Sequence, residues 1–140
     1  MKIENKQLIF EIFNSLRNIA IVGASIDMKR PSNEVMNYCK KFDYKIFPVN
    51  PNYSGKSILG EKCFNSLNDL PESIDIVNIF RKSEHCLDVA KNAVKINDKI
   101  LWIQVGVSNL QAANHEKKNG LIVFEDSCIM SLHKKFIINS

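Results

Sequence analysis

Between Gly23 and Ser32 the chain brings together one glycine, hydroxyls and two cations: Gly23-Ala24-Ser25, then Lys29-Arg30 and Ser32. These residue types bind phosphate. Unpaired amides at the start of a helix attract anions through N–H donors and the helix dipole. Lysine adds a point charge and arginine a planar fork that grips phosphate with two parallel bonds. Each residue also has a plainer use. Gly23 suits any tight strand-to-helix turn, and Lys29 and Arg30 suit a solvated loop. Asn50 and Pro51, Phe80 and Arg81, and Gln104 and Gly106 stand at the ends of later apolar segments. There, proline also ends strands, asparagine also forms Asx turns, and Phe80 also suits a core.

The residue types that perform covalent chemistry are less well placed. Cys128 and His133 form a nucleophile-and-base pair only if the thiol has a low pKa, and two ligands are too few for zinc. His85, His115 and His133 lack metal-ligand spacing among themselves. Cys39 and Cys86 fall at core spacing on helix faces and Trp102 lies in an apolar strand, so all three read as packing residues. No catalytic or metal-binding residue is assigned. Cys128 is the thiol expected nearest the crevice, which leaves a mixed disulfide with a thiol ligand as a minor reading.

The surrounding secondary structure follows from periodicity. Leu8, Ile9, Ile12, Phe13 and Leu16 make one face of an N-terminal helix. Ile19–Gly23 reads as a strand buried on both sides. Val35, Met36, Cys39 and Phe42 repeat at helical spacing, with Ser32 or Asn33 as cap. Strands follow at "YKIFPVNP", "IDIVNIFR", "KILWIQVG" and "LIVFED", with a single helical turn at "FNSLNDLP". Ser83 is expected to cap a helix whose Leu87, Ala90 and Val94 share a face. Ser108 and Gln111 fit a capping box, and Gly120 supplies a stop.

Strands alternating with helices imply βαβ units and right-handed crossovers. The expected fold is therefore α/β: a Rossmann-like, doubly wound domain with a five-stranded parallel sheet, helices on both faces and an extra N-terminal helix. Ligands in such sheets bind beyond the carboxyl ends of the strands. That rule selects 23–32, 49–51, 80–83, 104–108 and 126–130.

Composition bounds the function. The 140 residues read as one domain, 1–140, with ordinary hydrophobic (45%) and charged (24%) fractions. No apolar run reaches the length of about 20 residues that spans a bilayer, and the first residues read as an amphipathic helix instead of an export signal. Four scattered cysteines without a C-x-x-C pair then favour reduced thiols and a cytoplasmic location. A net charge of +4, with no basic run interleaved with aromatics, favours a phosphorylated small molecule over nucleic acid.

Among phosphorylated ligands the nicotinamide carriers fit poorly. Their G-x-G-x-x-G fingerprint is reduced here to Gly23-Ala24-Ser25, and the second strand ends in Pro48-Val49-Asn50-Pro51, without the acid that holds a ribose. An NADP site with Lys29 or Arg30 in that role stays open as an alternative. The P-loop motif is absent. A pyrophosphate plus a separate phosphate would use both the turn and the two cations, and coenzyme A has that anatomy.

The segments "IAIVGAS", "RPSNEV", "YKIFPVNP", "GEKCFNSLNDLP", "IDIVNIFR", "LWIQVGV" and "DSCIM" resemble the stand-alone CoA-binding domain proteins, in that family's order and over nearly all of residues 15–135. These are related to the CoA-binding domain of the succinyl-CoA synthetase α subunit. The resemblance implies pyrophosphate near Gly23, Ala24 and Ser25, phosphates facing Lys29, Arg30 and Ser32, and adenosine flanked by Asn50 and Pro51. It implies Phe80 and Arg81 along the groove toward the pantetheine, with Gln104 and Gly106 at the same opening. The synthetases place catalysis on a further domain and a partner. The expected role is thus a binding module for CoA or acyl-CoA without chemistry of its own, with a protein partner left unspecified. A partner-dependent component of an acyl-CoA synthetase or transferase, or an NAD(P)-binding oxidoreductase, remains the alternative.

Overall fold

The computed structural model describes residues 6–104 and 109–138. Its helices are α1 (Lys6–Ser15), α2 (Pro31–Lys41), α3 (Cys86–Lys95), α4 (Leu110–Lys118) and α5 (Ile129–His133). Five strands, β1 (Asn18–Val22), β2 (Lys45–Val49), β5 (Ile76–Ile79), β6 (Ile100–Ile103) and β7 (Ile122–Phe124), form one sheet. All its pairings are parallel, in the order β2-β1-β5-β6-β7. A small antiparallel hairpin, β3 (Ser57–Ile58) and β4 (Glu61–Lys62), lies between β2 and β5 in the chain. Leu59 and Gly60 both have positive φ, as a two-residue type I′ turn requires. This Rossmann-like, five-stranded sheet with helices and an N-terminal α1 agrees with the sequence expectation.

Side-chain alternation along the strands feeds two separate cores. Ile19 and Ile21 of β1 point into a cluster with α1, α2 and α5, which includes Phe13, Met36, Trp102 and Phe124. Ala20 and Val22 point the other way, to Ala90 and Ala93 of α3 and Ala112 and Ala113 of α4. Small residues on those two helices let their backbones approach the sheet closely. Trp102 stacks on Phe124 at 4.5 Å between centroids, and its indole donates to the Ser127 carbonyl at 3.1 Å. The expected core role of Trp102 holds.

The return of the chain from β2 to β5 runs through a reduced element. The Phe64 amide donates to the Pro48 carbonyl, and the Asn50 amide to the Phe64 carbonyl, both at 2.9 Å. That is one parallel bridge on the outer side of β2. A sixth strand position exists, but only one residue fills it. β1 and β5 are neighbours whose onward connections leave in opposite directions, so their carboxyl ends form the switch point where a crevice opens.

Several local expectations change. Helix α2 starts at Pro31, with Arg30 as an extended N-cap lacking a side-chain bond. Proline's fixed φ and missing N–H favour the first helical position, so Ser32 and Asn33 lie inside the first turn, buried. Ser83 opens a short 3-10 turn (Ser83–His85), and α3 follows with His85 as N-cap. The stripe that α3 buries completely is Cys86, Ala90 and Ala93, with Leu87 and Val94 at its margins. Ser108 lies outside the described residues. Asn109 caps α4, accepting from the Ala112 amide at 2.9 Å. Helix α5 and the wider π turn after it (Lys134–Ile138) were not expected.

Among the described residues no helix is long and apolar enough to cross a membrane.

Candidate functional site

A cleft of about 470 Å³ opens where β1, β2, β5 and β6 end. It is lined by Gly23, Ala24 and Ser25 after β1, and by Arg30, Pro31 and Ser32 at the start of α2. Asn50, Asn52 and Tyr53 follow β2, Phe80, Arg81 and Lys82 follow β5, and Gln104 follows β6. Nine of the twelve residues singled out from sequence therefore meet at one opening. Pro51 faces a neighbouring cavity of about 240 Å³ that shares Arg81. Lys29 is exposed on the loop and is not part of the lining. Gly106 lies outside the described residues.

The turn after β1 is held by the protein itself. Gly23 has φ +90°, and a Cβ there would stand 2.5 Å from the Phe80 carbonyl oxygen. Real side chains do not tolerate that approach, so glycine is demanded before any ligand arrives. The amides of Gly23 and Ala24 donate to the Val49 carbonyl at 2.9 and 3.3 Å. Two amides of this turn are thus spent joining β1 to β2 and are not left for an anion. Among the described residues, the Ser25 and Ser32 amides have no internal acceptor. The Ser25 hydroxyl accepts from the Asp27 amide at 3.1 Å.

Two asparagines shape the rim. Buried Asn33 donates to the Ser25 carbonyl at 2.9 Å and ties the loop to α2. Asn50 donates to the Ala24 carbonyl at 2.8 Å and accepts from the Asn52 amide at 2.9 Å. Asn50 thus performs the Asx-turn role while also lining the cleft. The lining carries three cations, Arg30, Arg81 and Lys82, and no carboxylate. An anion is favoured there, and no carboxylate of this lining is placed to hold a ribose; Asp88 lines only the neighbouring cavity.

Gln104 forms the inner end. It is 6% exposed, and its Oε1 has no hydrogen-bond partner. Cys128 does not line the cleft; the Ser127 amide before it donates to the carbonyl of Ile103, the residue before Gln104, at 3.2 Å. Burial pushes the Cys128 thiol up, but the Ser131 amide, the Gln104 side chain, the Ser131 hydroxyl and the Met130 amide outweigh it and hold it below the ordinary thiol value. Burial raises the other three, Cys39 to about 12. Cys39 and Cys86 are buried, as expected.

The His133 Nδ1 pairs with the Tyr38 hydroxyl at 2.8 Å. The Phe13, Phe42 and Tyr44 rings surround it at 4.7–5.7 Å, and burial holds it below the usual histidine value. Among the described residues, no group of three His, Cys, Asp or Glu side chains could hold a metal ion.

Sequence reasoning missed Pro31, Asn52, Tyr53 and Lys82. Pro31 and Lys82 fall inside the selected strand-end segments without having been singled out, whereas Asn52 and Tyr53 lie one and two positions past the 49–51 segment.

Comparison with known proteins decides the family. The CoA binding domain matches residues 17–134. The chain belongs to that family. It is 35% identical to the uncharacterized protein YneT of Bacillus subtilis, over 95% of this chain and 97% of YneT. A solved structure from Thermus thermophilus superposes with a TM-score of 0.92 at 30% identity, covering 95% of this chain and 99% of that one. A 63-residue stretch is 36% identical to an ADP-forming acetate–CoA ligase of Methanocaldococcus jannaschii, covering 45% of this chain and 9% of the ligase. The family shared with YneT is thus a CoA-binding domain related to a region of ADP-forming acetate–CoA ligases.

Proposed function

We propose that this protein binds coenzyme A or an acyl-CoA in the cleft at the ends of β1, β2, β5 and β6, as a binding module without catalysis of its own. The observation that carries this reading is a lining with three cations, a serine-bearing turn and no carboxylate. Such a wall attracts phosphates and penalises a ligand held through ribose–carboxylate bonds. The pyrophosphate meets the Ser25 and Ser32 amides and the Arg30 guanidinium. Lys29, outside the lining, serves the separate phosphate from the rim. The adenosine passes Asn50 and lies against Val22, Val49, Pro51 and Leu67 of the neighbouring cavity. The pantetheine arm runs past Phe80 and Arg81 toward Gln104.

Titration calorimetry with reduced CoA, dephospho-CoA and NADPH tests the proposal. CoA is expected to bind most tightly, and its affinity to fall with added salt as the phosphate contacts are screened. Heat with NADPH and none with CoA overturns it. The likeness to the Methanocaldococcus ligase favours one second reading, a component that works only beside an enzyme partner. Acyl-CoA turnover by the purified chain together with such a partner would establish that reading.

A further inference from the structure

We propose that Gln104 reads the pantetheine arm. Its carbonyl oxygen accepts from an amide N–H of that arm, so the cleft selects coenzyme A over nucleotides that carry the same phosphates without it. The inference rests on the CoA-binding reading above and names the residue that makes that site selective. Gln104 is 6% exposed, lines the cleft, and leaves its Oε1 without a hydrogen-bond partner. A buried amide oxygen without a donor is costly and uncommon in a folded chain.

The main-chain amides at these strand ends are already committed. The Gln104 amide donates to the Ile79 carbonyl at 3.2 Å, and the Phe80 amide to the Val22 carbonyl at 2.8 Å. Those of Gly23 and Ala24 go to Val49. Arg81 and Lys82 share the lining, yet neither bonds the Gln104 oxygen. The missing donor therefore arrives with the ligand. The terminal torsion of a glutamine is soft, so the amide turns its oxygen toward the opening at little cost.

The chemistry of that donor follows from the lining. Arg30, Arg81 and Lys82, with no carboxylate, repel an ammonium group, which leaves a neutral donor on an anionic molecule. Ser25 follows β1 and Gln104 follows β6, with β5 between them in the sheet. Two strand spacings separate a phosphate held at the Ser25 turn from Gln104 by about 10 Å. One molecule that satisfies both ends carries its N–H at that distance along an uncharged arm. Pantetheine is such an arm, joining the pyrophosphate to the thiol through secondary amides, and Phe80 lines the stretch between.

The test is titration calorimetry of the intact chain and of Gln104→Met with three ligands. These are CoA, acetyl-CoA and 3′-phospho-ADP, which keeps every phosphate of CoA and lacks the arm. Wild-type protein is expected to bind both CoA ligands at least about tenfold more tightly than the fragment. Gln104→Met is expected to weaken both by about tenfold and the fragment by less than about twofold. An equal loss for the fragment would show a merely structural role. A loss for CoA but not for acetyl-CoA would make the thiol the donor, and no loss for either would leave the oxygen unread. Each of these results overturns the inference and leaves the binding reading intact. Equal affinity of wild-type protein for CoA and the fragment does the same, and that comparison stands even if the variant fails to fold. No binding of CoA or acetyl-CoA to wild-type protein overturns both readings.

Discussion

Gly23 and Phe80 meet backbone to backbone: a Cβ on Gly23 would lie 2.5 Å from the Phe80 carbonyl oxygen. That contact joins the ends of β1 and β5, the two strands that open the cleft. A residue that looked like a phosphate-binding glycine is first a packing requirement of the switch point. Gly23→Ala adds a clash with main chain to an unfavourable φ of +90°. The expected loss is about 2 kcal/mol or more of unfolding free energy, read by urea denaturation. Unchanged stability would mean the turn relaxes easily.

Arg30 and Lys29 separate where the sequence had paired them, since only Arg30 lines the cleft. Arg30→Ala is expected to weaken CoA by about tenfold, the worth of one charge-assisted phosphate contact. Lys29→Ala is expected to cost less at low salt, and almost nothing once screened. The double change is expected to weaken CoA more than dephospho-CoA. Calorimetry at two salt concentrations reads all three outcomes, and equal losses for both ligands would remove the separate phosphate from this rim.

Glu116 and Asp98 are buried carboxyl groups whose oxygens lack hydrogen-bond partners. Burial, reinforced by Asp98, pushes Glu116 up to about 8, and burial pushes Asp98 to about 6. The folded state therefore holds protons that the unfolded chain releases. Their stabilisation is complete below the ordinary carboxylate values and is lost as pH rises through about 6 and then about 8. Glu116→Gln is expected to flatten the fall in stability toward pH 8 by about 1–3 kcal/mol. Denaturation curves across that range check it, and an unchanged slope would show Glu116 ionised in the fold.

Asp75 works in the opposite sense. Burial alone would raise it, but the Asn18 and Arg17 amides, each 3.0 Å from Oδ2, together with Lys99 hold it below the ordinary value. Its contribution is present above pH 3.8 and is lost as pH falls through the lower folded value. Asp75→Ala leaves two amides at the start of β1 unpaired and is expected to cost about 1–3 kcal/mol at neutral pH. That deficit shrinks in acid, and acid denaturation of both proteins reads the convergence.

Periodicity alone placed the five parallel strands, because two-sided burial writes continuous apolar runs such as Ile19–Val22 and Ile100–Ile103 into the chain. Strand-end polarity was also legible: Ser25, Asn50, Arg81 and Gln104 stand where an apolar run stops, and the parallel-sheet rule brings such ends to one edge. Helix α5 was not legible, since its short segment buries Ile129 and His133 against helices distant in sequence. Partner choice was equally hidden. Only the folded chain gives the Gly23 and Ala24 amides to Val49 and encloses His133 in aromatic rings. A residue's type limits the bonds it can make, whereas the competition among nearby acceptors, created only when the sheet closes, decides which bond forms.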